Sequence, residues 1–291
     1  MSAPPKSVIS KALSASLSGG LPGAASMVLN VLALMWLRTT MNYQMRTGLS
    51  SKEAFKKIYE EGGIPRFYSG LWAALLQGPL SRFGDTAANE GMKAMLEGTE
   101  LPMFVQTMAA SAAAASWRIV VMPVDTLKTT LQVHGSEGLP VLKKRVAEEG
   151  LSTLFNGAPA AMLATFMGHY PWFFTNNILE ASIPPAQRPL MKQIRRVFIG
   201  FICSIISDCI SNSIRVLKTY TQTDPRNISY VDAAKEIIAK DGLQGLLGRG
   251  LALKIICNGI QSVAFSLVWK NLMDKAKARE AVLAGAAKKE L

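Results

Sequence analysis

The sequence is short of charge, and shorter of acids than of bases. Charged residues fill 18% of its 291 positions, and 20 Asp and Glu stand against 32 Lys and Arg. Soluble domains usually carry about a quarter charged residues. With 49% hydrophobic residues and a mean hydropathy of +0.20, the shortage points to lipid rather than water. Histidine is nearly missing, with only His134 and His169. No Gly-rich phosphate loop and no nucleophile with a base at recognisable spacing occurs, so an enzyme is not expected. Cys203, Cys209 and Cys257 sit in apolar stretches without CxxC spacing, so they read as packing residues. Neither a metal nor a cofactor is expected. The net charge of +12 comes without a zinc, RNP or helix-turn-helix pattern. That excludes a nucleic-acid partner, and the scatter of bases between apolar runs suits an anionic membrane surface. Met1–Ser10 lacks the n-region and h-region of a secretory signal and is not Arg-rich enough for a transit peptide, so targeting information is expected within the chain.

What the sequence does have is a repeat. Arg38-Thr39-Thr40, Lys128-Thr129-Thr130 and Lys218-Thr219-Tyr220 recur with a period of 90, each after a long apolar segment. Gly20, Ala110 and Gly200 keep the same period, and Ala24, Ala114 and Ser204 follow each by four, a small-xxx-small spacing that lets helices approach closely in a bilayer. A second element follows: Glu61-Gly62 before Phe67-Tyr68-Ser69-Gly70, Glu149-Gly150 before Phe155-Asn156-Gly157, and Asp241-Gly242 before Gly250. Each repeat reads as two long apolar helices with a short amphipathic helix between them. The first helices are expected near 12–42, 103–133 and 193–222, and the second near 71–95, 158–180 and 251–275. All six reach the roughly 20 mostly apolar residues that a span needs, with a few polar interruptions. The fold class is therefore all-α: six transmembrane helices in three tandem repeats, over 1–100, 101–190 and 191–275, with a basic, solvated tail over 276–291.

The second repeat carries Pro123-Val124-Asp125-Thr126-Leu127-Lys128, then Gln132, Glu149-Gly150 and Phe155-Asn156-Gly157. This resembles the signature of the mitochondrial carrier family. The resemblance implies a pseudo-threefold bundle in the inner mitochondrial membrane. A central cavity would be closed alternately at its matrix and cytosolic ends. It also implies membrane lipid, with cardiolipin as a candidate, and a small polar solute as partners. At the matrix gate it places Arg38, Asp125, Lys128, Gln132, Lys218 and Gln222, the acid of each repeat pairing with the base of the next.

Two repeats depart from that pattern. Repeat 1 has Ala33 and Met35 at the Pro and acid positions, and repeat 3 has Ser213 and Arg215. Asp125 with Lys218 is then the one matrix bridge left. Met35 offers Lys128 no charge, and Arg215 would face Arg38; two like charges about 4 Å apart repel by about 4 kcal/mol at an effective dielectric of 20. The cytosolic gate keeps its acid and base, Glu90 and Lys93, only in repeat 1. Repeat 2 has Asn176-Asn177 with Glu180, and repeat 3 has Trp269-Lys270 with Met273.

The family's substrate contacts, about seven residues beyond the second-motif Gly, fall on Gln77, Ala164 with Thr165, and Cys257. None is charged, and the RRRMMM box of ADP/ATP carriers is absent, which disfavours ADP/ATP exchange. Arg118 and Asp208 are one period apart inside apolar helices, and such residues are functional candidates. They are expected to bind a polar or zwitterionic solute, or else to weld two helices as an ion pair. Arg82 and Asp85, three apart, are expected to pair with each other, Arg82 otherwise serving the cavity. His169 either faces the cavity or packs neutrally beside Tyr170 and Trp172. Two functions stay open: a solute carrier working by alternating access, or a non-transporting structural subunit or adaptor of a membrane protein complex.

Overall fold

The structure is a computed structural model that describes residues 6–96, 99 and 101–261, leaving aside the side chains at 6–9, 11–23, 25–26, 89, 90, 93 and 103. Among the described residues there is no strand. The long helices are α1 (Lys6–Thr47), α3 (Leu71–Leu96), α4 (Met103–His134), α6 (Ala158–Ser182) and α7 (Pro189–Thr223), with a further one, α9, described over 251–261. Short helices α2 (Ser51–Phe67), α5 (Gly138–Glu149) and α8 (Tyr230–Gly248) join the members of each pair. The expected segments 71–95, 103–133 and 158–180 fall within a few residues of α3, α4 and α6. The expected span to 275 and the tail 276–291 lie outside the described residues beyond 261.

Local chemistry sets the short helices. Ser50 and Glu53 form a reciprocal capping box at the start of α2, and Ser229 caps α8 by accepting from the Asp232 amide at 3.1 Å. The acid–Gly elements then turn the chain: Gly150 and Gly242 adopt φ of 79° and 67°, a region that L side chains avoid.

The long helices pack in chain order and close into a ring. Neighbouring α1 and α3, α3 and α4, α4 and α6, and α6 and α7 are in contact. Leu34 and Leu37 of α1 meet Leu253 and Cys257 of α9, while α7 reaches α9 through Asp208 and Lys254. Large apolar side chains face outward all round: Trp36, Trp72, Phe104, Val120, Phe174, Phe198 and Ile260 are exposed. Such a belt suits lipid, because bilayer hydrocarbon rewards an apolar exterior. Two helical stretches, Phe104–Glu149 and Pro189–Thr223, are long and apolar enough to cross a membrane by composition alone. The expected second helix of repeat 3 is described over 251–261 alone, too short a stretch for that comparison.

At the end where the short helices lie, three buried arginines tie the repeats together. Arg66 donates to the carbonyls of Gln132 and Val133 at the end of α4, at 2.9 and 2.8 Å. Arg145 donates to the Gln222 carbonyl near the end of α7 at 3.0 Å, and Arg249 to the Met45 carbonyl of α1 at 3.3 Å. Each satisfies carbonyls that a helix C-terminus leaves free and places a cation at the negative end of the dipole. Acids from the short helices hold two of them, Glu61 on Arg66 at 2.9 Å and Asp241 on Arg249. Gly135, just past α4, leaves room for the first, since a Cβ there would lie 2.7 Å from Arg66 Nε.

Candidate functional site

The ring of helices encloses a cavity of about 300 Å³ reached by α1, α3, α4, α6, α7 and α9. Its floor, at the short-helix end, is a buried polar layer. Asp125 is 5% exposed and sits between two bases, taking Lys128 Nζ on one carboxylate oxygen at 2.8 Å and Lys218 on the other. Lys218 joins α7 to α4, the bridge expected from the sequence. Lys128, for which Met35 has no charge, turns back on its own helix to Asp125 and donates to Gln77 at 3.2 Å. One carboxylate therefore serves two ammonium groups. Below it, Asn42 donates to Gln132 at 2.6 Å, linking α1 to α4, and Gln222 donates to Thr126 at 2.8 Å, linking α7 to α4. In this layer only Gln222 of the six expected residues does not line the cavity.

The like charges expected to confront one another have separate partners. Arg38 donates to Gln261 of α9 at 2.9 Å, and Arg215 donates to Ser211 of its own helix at 3.2 Å. Both line the cavity, and neither has a carboxylate partner among the described residues.

Higher up, Arg118 is the hub of α3, α4 and α6. Its Nη2 donates to both oxygens of Asp85 at 2.7 Å, Nη1 to the Ser81 hydroxyl, and Nε to the Thr165 hydroxyl at 3.0 Å. Beside it Trp117 donates to the Leu80 carbonyl at 2.9 Å and lies flat on Gly84, where any Cβ would stand 1.9 Å from the indole. Asp208 is elsewhere, 4% exposed, near Lys254 at 3.5 Å and accepting from Asn258. The expected Arg118–Asp208 pair is therefore not formed: one period fixes a common height, but each side chain finds a nearer partner. Asp208 does not line the cavity. The expected Arg82–Asp85 pair is also not formed, because Asp85 accepts on both oxygens from Arg118 Nη2, which reaches it from α4. Arg82 is left exposed on the cavity wall without a carboxylate partner among the described residues.

Gln77, Ala164, Thr165 and Cys257 all line the cavity, with Ala164, Thr165 and Cys257 buried. His169 does not; its ring meets that of Phe173 edge-on at 6.3 Å, the packed alternative with a different aromatic neighbour. Glu90 and Lys93 lie on α3 with side chains outside the described residues, as are Trp269, Lys270 and Met273. In repeat 2, Glu180 pairs with Arg195 across the α6–α7 junction. Sequence reasoning missed that pair, the role of Arg66, Arg145 and Arg249, and the polar face of α9 formed by Lys254, Asn258 and Gln261. For α9 the signal was present, since these residues lie at helical spacings of four and three.

A family model described as mitochondrial carrier protein matches residues 6–100, 99–184 and 191–277. Among curated proteins, the chain is 28% identical over 144 residues to a mitochondrial substrate carrier family protein, ucpB, of Dictyostelium discoideum, covering 44% of this chain and 47% of that one. It is 26% identical over 184 residues to the mitochondrial citrate transporter D of Aspergillus niger, covering 58% and 60%. It is 25% identical over 219 residues to the mitochondrial ornithine transporter 1 of Saccharomyces cerevisiae, covering 69% and 74%. The matches span about half to three-quarters of the length of these relatives.

Proposed function

The chain belongs to the mitochondrial carrier family, and from that membership we propose that it moves a small organic anion across the inner mitochondrial membrane by alternating access. The single observation behind the anion is the charge of the cavity wall. Arg38, Arg82, Arg118, Lys128, Arg215, Lys218 and Lys254 line it, against Asp85 and Asp125. Arg118 is neutralised by Asp85, and Lys128 with Lys218 shares Asp125. Among the described residues the guanidiniums of Arg38, Arg82 and Arg215 have no carboxylate partner. Cations held in a partly dry cavity favour an anionic guest strongly, since charge-assisted hydrogen bonds there replace lost hydration. A cavity of about 300 Å³ suits a small metabolite. Neutral Gln77, Thr165 and Cys257 then shape the middle of the site, and Arg82 receives the anion from above. Arg118, saturated by Asp85, Ser81 and Thr165, acts as a brace for three helices.

In this reading the short-helix end faces the matrix, and opening it separates α4 from α7 by breaking Lys218 from Asp125. The competing reading, a non-transporting subunit, draws on the single bridge; the polar lining of the cavity speaks for transport. Purified protein in liposomes loaded with di- and tricarboxylates, nucleotides or basic amino acids tests both. Counter-exchange of an anion, reduced at least about tenfold in Arg82→Gln, supports the proposal. Exchange of cationic amino acids alone, or none with any cargo, rejects it.

A further inference from the structure

The intact bridge shows what the other two corners of the floor lack. Asp125 and Lys218 join α4 to α7; one repeat on, the same two positions are Arg215 of α7 and Arg38 of α1. Among the described residues no carboxylate joins those helices there. Instead Arg38, Arg215 and Lys254 line one side of the cavity, and Lys254 has both arginines as charged neighbours. The one acid nearby, Asp208, stands 3.5 Å from Lys254 and is occupied by Asn258 as well. Arg38 Nε is buried without any hydrogen-bond partner, and Arg215 has only a serine hydroxyl from its own helix. With that one carboxylate engaged by Lys254, Arg38 and Arg215 have no acid partner among the described residues, in a place where an unmet charged donor is costly.

We propose that a small inorganic oxyanion, of the phosphate or sulfate class, binds across Arg38 and Arg215 with Lys254 behind them and stands in for the missing acid, bridging α1 to α7. A tetrahedral dianion offers several acceptor oxygens to two guanidinium forks and neutralises the excess charge of the cluster. Asn258 and Gln261, on the same face of α9 as Lys254, supply neutral polar groups around it. The bound ion is a locking element of the floor rather than cargo. It takes two of the three guanidiniums on which the anionic-cargo reading rests and leaves Arg82 to the cargo.

The test is thermal unfolding of the purified full-length protein titrated with sodium phosphate against sodium chloride at equal ionic strength. Phosphate is expected to raise the melting temperature saturably above chloride, as any ligand of the folded state does. Arg215→Gln loses that rise, with apparent phosphate affinity falling at least about tenfold. Arg215→Asp, which supplies the acid covalently, melts in chloride as high as wild type does in phosphate and gains nothing further. Arg82→Gln, on the wall above, keeps the rise. No saturable advantage of phosphate in the wild type overturns the proposal, as does a rise retained in Arg215→Gln. Loss in Arg82→Gln equal to that in Arg215→Gln also overturns it, because the anion then occupies the cargo position. Should Arg215→Asp not fold, Arg215→Gln with Arg82→Gln decides alone.

Discussion

Replacing Asp125 by Asn removes one negative charge from a place where two ammonium groups depend on it. The side chain keeps its shape and its contact with Gln222, so the change is electrostatic rather than steric. Asp125 is 5% exposed and its partners Lys128 and Lys218 have side chains only 16% and 18% exposed, so water cannot take over. Breaking a buried pair from one side costs about 3–5 kcal/mol, because the remaining charge stays in a dry site. At about 2–4 °C per kcal/mol that is a fall of roughly 6–20 °C in melting temperature. The second half of the reasoning is coupling. Adding Lys218→Met to Asp125→Asn removes one stranded cation, so the double variant should be more stable than the sum of single effects by about 1–3 kcal/mol. Melting curves of the four proteins in one detergent give the cycle. A fall below about 2 °C for Asp125→Asn, or strict additivity with Lys218→Met, would refute the claim that this carboxylate is a shared, desolvated counter-ion.

Gly84→Ala should drive the Trp117 indole off its seat and break its bond to the Leu80 carbonyl, costing about 1–3 kcal/mol; in a Trp117→Ala background the same change should be nearly neutral by thermal melting. Arg66→Ala strips two carbonyl caps from the end of α4 and leaves Glu61 without its guanidinium, so a loss of about 2–4 kcal/mol is expected from denaturation curves. Asp224, just past α7, is pushed up by burial, but hydrogen bonds from Arg226 and the charge of Arg46 outweigh that and hold its carboxyl below the ordinary range. A depressed carboxylate stabilises the fold fully above the unfolded value near about pH 4 and loses that contribution as pH falls through its own lower value. Melting followed from pH 6 to pH 3, as a rough working range, should therefore fall less in Asp224→Asn than in wild type.

The fold was legible because its signal is a period. Apolar segments recurring every 90 residues around Arg38, Lys128 and Lys218 needed only helix geometry to become five long helices and the described stretch of a sixth over 251–261. The Asp125–Lys218 bridge was legible through the family resemblance, which implies that the acid of one repeat meets the base of the next. Partner choice was not. Arg118 and Asp208 share a height, but a pair also needs matching direction and reach, and Asp85 and Lys254 lay closer. Spacing of three on one helix made Arg82 and Asp85 plausible partners; a planar guanidinium arriving from α4 took the acid instead. The helix-end arginines escaped because Arg145 sits four residues before its acid–Gly element while Arg66 and Arg249 sit after theirs. A motif scan at fixed offsets cannot register them together.

Those arginines have a consequence for how the chain can be cut. Arg66 acts on the repeat after its own, Arg145 does likewise, and Arg249 returns to the first, so the dependence runs in a circle with no terminal unit. Stacked solenoids end in specialised outer modules; here every unit borrows its finish from a neighbour. A single excised repeat would hold an arginine with nothing to grip and a helix whose end nobody covers, whereas a permutant that starts at the second repeat and ends with the first would keep every such grip.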